Sequence, residues 1–170
     1  KKMNKQMIIS VMSKDRPGII ADITGAIYEL EGDLADLNQT VLHGYLTMIL
    51  IATFADNITA EDILANFSHI KNEISFEVMI KQVEEEIRFS GNEKVEDSYI
   101  VTAQGKNKSG LVFGISRFCH ERNINILDLA TTLDNDRYTM VLQLDLREYP
   151  SIEKLQNELE EFSQKSGLGV

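Results

Sequence analysis

Ser13-Lys14-Asp15-Arg16-Pro17-Gly18 joins an apolar run, Met7 to Met12, to a segment whose apolar residues recur at helical spacing. Pro17 suits the first turn of a helix, because the N–H it lacks has no intrahelical partner there. Gly18 lets the backbone approach a neighbouring strand or a ligand. The first turn's N–H groups then point into the loop and favour an anion such as a carboxylate. The same design recurs as Gly105-Lys106-Asn107-Lys108-Ser109-Gly110. Plain turn chemistry, with Gly for close packing and Pro for helix initiation, is the competing reading of both loops.

Working outward, Met7 to Met12 reads as a buried strand, and a helix is expected from Pro17 to about Glu31. Ile19, Ile20, Ile23, Ile27 and Leu30 give that helix one apolar stripe, and Gly32 is its expected C-cap. Asp33 to Leu42 is a strand with Ala35, Leu37 and Val41 on one face and Asp36, Asn38 and Thr40 on the other. His43-Gly44 marks a hairpin turn. Tyr45 to Phe54 is a strand apolar on both faces. Thr59, with Asp62 three residues on, opens a second helix that buries Ile63, Phe67 and Ile70. Ile74 to Ile80 alternates as a fourth strand. The pattern is β-α-β-β-α-β, an α+β ferredoxin-like unit of antiparallel sheet with helices on one face.

An offset of 92 residues then repeats the pattern without a gap. Gly18 falls on Gly110, Ile23 on Ile115, Asp36-Leu37 on Asp128-Leu129, and Thr47-Met48 on Thr139-Met140. The caps Thr59 and Ser151 match, as do Ile63 with Leu155 and Phe67 with Leu159. This is an internal duplication. Residues 1–83 form the first copy, 84–97 the linker and 98–170 the second. The second copy's last strand maps onto Ser166, Leu168 and Val170, where the chain stops, so it is short or truncated. Ile49 and Ile51 would leave an apolar patch on the open sheet face, which implies a cover such as the other copy or a second chain.

The chain has 17 basic and 27 acidic residues, a net charge of −10. That repels phosphate backbones and argues against direct nucleic-acid binding. No apolar run approaches the ~20 residues of a membrane helix, and no signal peptide is visible. One cysteine in 170 residues suits a reducing cytosol, so a cytoplasmic location is expected. Cys119 aligns with Ile27 and reads as a core residue, as do the methionines. His69 is placed late in the second helix, where it favours the C-terminal dipole. Asp36 and Asp128 are ligand or interface groups or, as favoured here, solvated strand residues. Asp15, Asp33 and Asp36 lack the tight spacing of a calcium loop, so no metal is expected. No phosphate-binding loop, dinucleotide signature, nucleophile elbow or zinc spacing appears, so neither a cofactor nor catalytic residues are assigned.

Asp15-Arg16-Pro17-Gly18-Ile19-Ile20 at a strand-to-helix turn, followed by Asp33-Leu34-Ala35-Asp36-Leu37-Asn38-Gln39, resembles an ACT domain. Asn125-Ile126-Leu127-Asp128-Leu129 opens the matching strand of the second copy. A chain of two such repeats is similar to the glycine cleavage system transcriptional repressor group. The resemblance implies a small amino-acid ligand where the first loop of one module meets the second strand of its neighbour. Its carboxylate would be held by backbone N–H groups near Pro17, Gly18 and Ile19, and near Ser109, Gly110 and Leu111, with Arg16 in the first loop. Asparagines at two places often hold the ligand; here they are Asn107 and Asn125. The first copy departs, with Asp15 and Asp33, which would welcome an ammonium and repel a carboxylate. The implied role is a non-catalytic regulator acting on transcription or metabolism through a protein partner, with room for a homodimer. An interaction module without ligand, or a detached regulatory subunit of an amino-acid enzyme, are the alternatives.

Overall fold

The computed structural model describes residues 4–71, 76–88 and 97–170. The chain divides into two units, Lys1–Ser90 and Gly91–Val170. The first runs β1 (Asn4–Lys14), α1 (Ile19–Glu29), β2 (Asp33–Leu42), β3 (Tyr45–Ala55), α2 (Ala60–Phe67) and β4 (Glu77–Gln82). Its strands pair antiparallel in the order β2-β3-β1-β4. The second runs β5 (Ser98–Lys106), α3 (Leu111–Glu121), β6 (Asn125–Asp134), β7 (Arg137–Asp145) and α4 (Ile152–Ser166), with sheet order β5-β7-β6. Each unit is the α+β ferredoxin-like repeat that the 92-residue offset implies.

The strands' two-residue period builds both cores. Met7, Ile9 and Val11 of β1 and Leu46, Met48 and Leu50 of β3 are buried against Ile19, Ile23 and Ile27 of α1 and Ile63 and Phe67 of α2. In the second unit Met140, Leu142 and Leu144 pack on Leu111, Ile115, Phe118, Leu155 and Leu159. The positions between face away. Met12 is 48% exposed, Ile49 56% and Met79 72%, so these two methionines are surface residues rather than the expected core. Cys119 is buried as expected, and that burial pushes its thiol up to about 11 against the opposing pull of Arg122.

Several boundaries differ from the sequence reading. Gly18 (φ 80) and Gly110 (φ 84) are the N-caps, so Pro17 lies in the turn and α1 starts at Ile19. At the other end Glu31 (φ 54), not Gly32, takes the left-handed position. Glu31 N–H donates to Tyr28 O at 2.9 Å and Gly32 N–H to Ile27 O at 3.0 Å, a Schellman ending. Asn123 plays the same part after α3. α2 stops at Phe67, which leaves His69 and Ile70 beyond the helix. β4 lies later than the expected Ile74–Ile80, and residues 74 and 75 fall outside the described residues. In the second unit the corresponding place holds one bridged pair, Gln104 with Gly169.

The pairing of β2 with β3 slips between Leu34 and Asp36, and that of β6 with β7 between Ile126 and Asp128. The first bulge takes the exposed Ala35 off the face of Leu37, which sits opposite the buried Leu50; Val41, opposite the buried Leu46, keeps that face and is itself exposed. Asp36 and Asp128 have the same local task beside the slip. Each carboxylate accepts from the next residue's amide, Leu37 N–H at 2.8 Å and Leu129 N–H at 3.0 Å. The caps of α2 and α4 are as read: Asp62 N–H donates to Thr59 Oγ1, Thr59 N–H to Asp62 Oδ2, and Lys154 N–H to Ser151 Oγ. The start of the expected linker is held on β1. The Gln6 side chain accepts from Ile87 N–H at 2.7 Å and donates to Ile87 O at 3.0 Å.

Candidate functional site

The two loops singled out in the sequence occupy equivalent places, each tied to its own hairpin. Asp15 N–H donates to Gly44 O at 2.8 Å, and Asn107 N–H to Asp136 O at 2.8 Å. The turns receiving them have positive φ at both central residues, His43-Gly44 and Asn135-Asp136, the geometry that matches strand twist. Gly18 and Gly110 are exposed, and a Cβ on Gly110 would meet nothing within 4 Å. The helix starts therefore open to solvent. Ile19 and Leu111 send their side chains into the cores, leaving only their backbone for a ligand.

A basic residue braces each loop, against the segment beyond α2 in the first unit and against the last residue of α4 in the second. Arg16 Nη2 donates to Asp22 Oδ2 at 2.6 Å and to Lys71 O at 2.9 Å. In the second unit Lys108 Nζ donates to Ser166 O, the last residue of α4. Lys108 stands at the C-terminus of α4, where the helix dipole favours a cation. The Arg16 guanidinium, paired with Asp22, lies beside the helix start: a Cβ on Gly18 would lie 3.9 Å from Arg16 Nη1. Lys108 was not singled out from the sequence, although its alignment with Arg16 was the available signal.

Asp33 and Asn125 lie elsewhere. Asn125 pairs with Asp145 on β7, whereas Lys106, next to Asn107, pairs with Arg137. Eight strand steps separate those positions, roughly 27 Å. Asp33 opposite Thr53 and Lys14 opposite Tyr45 are as far apart in the first unit. So each unit gathers Asp15, Arg16, Pro17, Gly18 and Ile19, or Asn107, Ser109, Gly110 and Leu111, at one end of its sheet. It places Asp33 or Asn125 at the other. The same separation keeps Asp15 away from Asp33 and Asp36 as a metal site.

Around Asn125 the structure shows a crevice of about 590 Å³ that the sequence did not reveal, lined also by His120, Asn123, Asp145, Arg147 and Glu148. Arg147 Nη2 and Nε grip Asp145 at 2.6 and 3.0 Å, and that bonding holds the Asp145 carboxyl below its usual range. Asn123 Nδ2 donates to Glu148 Oε2 at 2.8 Å. With Glu148 added to the Asp145–Arg147 pair, this end carries carboxylate charge and acceptors suited to a cationic group. The loop end of this unit, with amides and Lys108, suits an anionic one, whereas Asp15 opposes an anion in the first unit.

An ACT-domain family model matches residues 5–81 and 98–170, one span in each unit. UPF0237 proteins of Clostridium acetobutylicum and Methanopyrus kandleri are 36% and 38% identical over 72 residues. Each alignment covers 42% of this chain, with 81% of the first relative and 80% of the second. An unknown protein from Galdieria sulphuraria superposes with a TM-score of 0.75 at 16% identity, over 98% of this chain and 96% of its own. A candidate glycine cleavage system transcriptional repressor superposes with a TM-score of 0.66 at 13% identity, over 98% and 95%. At those identities the likeness is one of fold. Among the described residues no helix is long and apolar enough to cross a membrane. Two spans matching one family, each folded as a separate βαββαβ-type unit, make this chain a member of the ACT-domain family with two tandem ACT domains.

Proposed function

We propose that this chain is a non-catalytic sensor of a small amino acid that regulates transcription or metabolism through a protein partner. The observation that supports it is the opposite polarity of the two ends of the second unit. Its loop end offers helix-start amides and Lys108 to a carboxylate, which Asp15 opposes in the first unit. Its far end offers Asn125 beside Asp145 and Glu148 to an ammonium, as Asp33 does in the first unit. Because these ends stand roughly 27 Å apart, one zwitterion can use both only when they come from different ACT units. Binding then favours one assembly of units over another, by no more than the ligand's differential affinity for the two. The fold shared with a candidate glycine cleavage repressor agrees with a regulatory role.

Calorimetry and melting curves against the common amino acids test this. A ligand selective for the folded state raises the midpoint once its concentration exceeds its dissociation constant. Flat traces with every amino acid remove the sensor. A second reading, an interaction module without ligand, is favoured by the exposed Ile49 and Met79 on the open sheet face of the first unit. It predicts a stable protein partner in pull-downs together with flat calorimetry.

A further inference from the structure

In the first unit the helices cover one face of the sheet, and the ladder register lays out the other. Across β2, β3, β1 and β4, Asn38, Ile49, Ser10 and Met79 form one row. Thr40, Thr47, Met12 and Glu77 form the row on one side of it, and Asp36, Ile51, Ile8 and Lys81 the row on the other. Met12, Ile49 and Met79 are exposed, and Ile8 and Ile51 are half-buried. The patch belongs to this unit: at the 92-residue offset Met12 and Ile51 become Gln104 and Gln143. A contiguous apolar patch with a polar rim marks an interaction surface.

This face is complementary to itself. A two-fold axis lying across the strands, through the row of Ser10 and Ile49, keeps each strand opposite its own counterpart and exchanges the two flanking rows. Ile49 then falls on Ile49 of a second copy, Met79 on Met79 and Asn38 on Asn38. Met12 falls on Ile8, Thr40 on Asp36 and Glu77 on Lys81. Apolar groups meet apolar groups, and carboxylates meet an ammonium or a hydroxyl; Thr47 on Ile51 is the mixed pair. An axis along the strands would instead set Ile49 on Ser10 and Met79 on Asn38.

We propose that the open face of the first unit is covered by the same face of a second copy, related by that two-fold axis. The two sheets form a sandwich with a spacing of about 10 Å, strands aligned to within their twist. Strands of 10 or 11 residues, with β4 of 6, present roughly 600 Å² of sheet per copy. The total of about 1,200 Å² reaches the size of specific interfaces. An isologous contact of this kind closes and does not propagate into fibres. The pairing stands apart from amino-acid sensing, and it gives the exposed Ile49 and Met79 an occupant other than a foreign protein.

Sedimentation of the 170-residue chain at tens of micromolar is expected to give twice the 19.2 kDa of one chain. Lys81→Glu sets carboxylate against carboxylate at two symmetric places, and it is expected to weaken the dimer at least about tenfold. Adding Glu77→Lys exchanges the charges and is expected to restore it. Ile49→Lys puts two ammonium groups at the axis and is expected to give a monomer with an unchanged circular dichroism spectrum. Met79→Cys is expected to join to itself through a short bismaleimide, and Thr40→Cys, whose counterpart lies two rows away, is not; Cys119 is buried in both variants. A monomeric wild-type chain overturns the proposal. So does a dimer that survives both Lys81→Glu and Ile49→Lys, or one that the charge exchange fails to restore.

Discussion

Gly32 and Phe54 meet so closely that a methyl group on Gly32 would lie 2.5 Å from Phe54 Cε1, and 2.7 Å from Ile27 Cγ2. The second unit fills the same three places differently, with Ile124, Leu146 and Cys119, all buried. Side-chain volume has moved from the strand and helix to the link between α3 and β6. This exchange accounts for both the glycine and the lone cysteine. Gly32→Ala is expected to cost about 1–3 kcal/mol through overpacking. Adding Phe54→Leu should recover part of it. Denaturant melts of the single and double variants measure both effects.

Asp128 stands beside a bulge and bonds the amide that follows. Asp128→Ala is expected to lower stability by about 1 kcal/mol. Asp128→Asn keeps a carbonyl acceptor and should stay near wild type. Asp36→Ala and Asp36→Asn should behave alike in the first unit. Equal midpoints for the Ala and Asn variants would remove the bulge role.

The Tyr149 hydroxyl donates to Glu158 Oε2 at 2.5 Å, and Arg122 Nε donates to the same oxygen at 2.7 Å. Desolvation and then the Glu158 bond push the Tyr149 hydroxyl up to about 12, while the bonds from Tyr149 and Arg122 hold Glu158 below its ordinary 4.5. A raised phenol contributes stability in full below pH 10 and loses it as pH climbs toward 12. A lowered carboxyl contributes above its unfolded value and loses that contribution as pH falls. Tyr149→Phe should therefore flatten the alkaline limb of the melting-point profile and weaken the acid limb. At neutral pH it should cost about 1 kcal/mol.

If a zwitterion uses both ends, Asn107→Ala and Asn125→Ala should each weaken it about tenfold, as loss of a hydrogen bond to a charged group does. Neither residue is buried, so neither change should move the melting point of the free protein. Gly110→Ala must also carry the strain of φ 84, about 1–2 kcal/mol, so its effect on binding is read against its own unliganded midpoint. Full binding by both asparagine variants would place the ligand elsewhere.

The repeat, the cap residues Thr59 and Ser151, and the alternation of β1 and β3 were legible because each depends on local chemistry or simple periodicity. The bulges were not, since one inserted residue leaves no mark in composition and only reverses the faces after Ala35. Glu31 in the left-handed position was hidden because a neighbouring glycine is the better candidate by propensity. Gly32 is kept small by Phe54, which is far away in sequence. For the site, the loops were legible from their residues. The separation of Asn107 from Asn125 was implied by topology alone: a helix returning from the end of β5 delivers the chain to the opposite end of the sheet. The crevice beside Asn125 depends on Arg147 and Glu148, which follow β7 and carry no motif.

The buried sulfur of Cys119 also makes the molecule self-reporting. Its thiol can meet a solution reagent only while the second unit is open, and little of it is thiolate until then. The chain contains no other sulfhydryl, so the pace of alkylation under native conditions counts openings of that half alone. The first half is silent to the same reagent, which lets the stabilities of two near-identical folds be separated without cutting the chain.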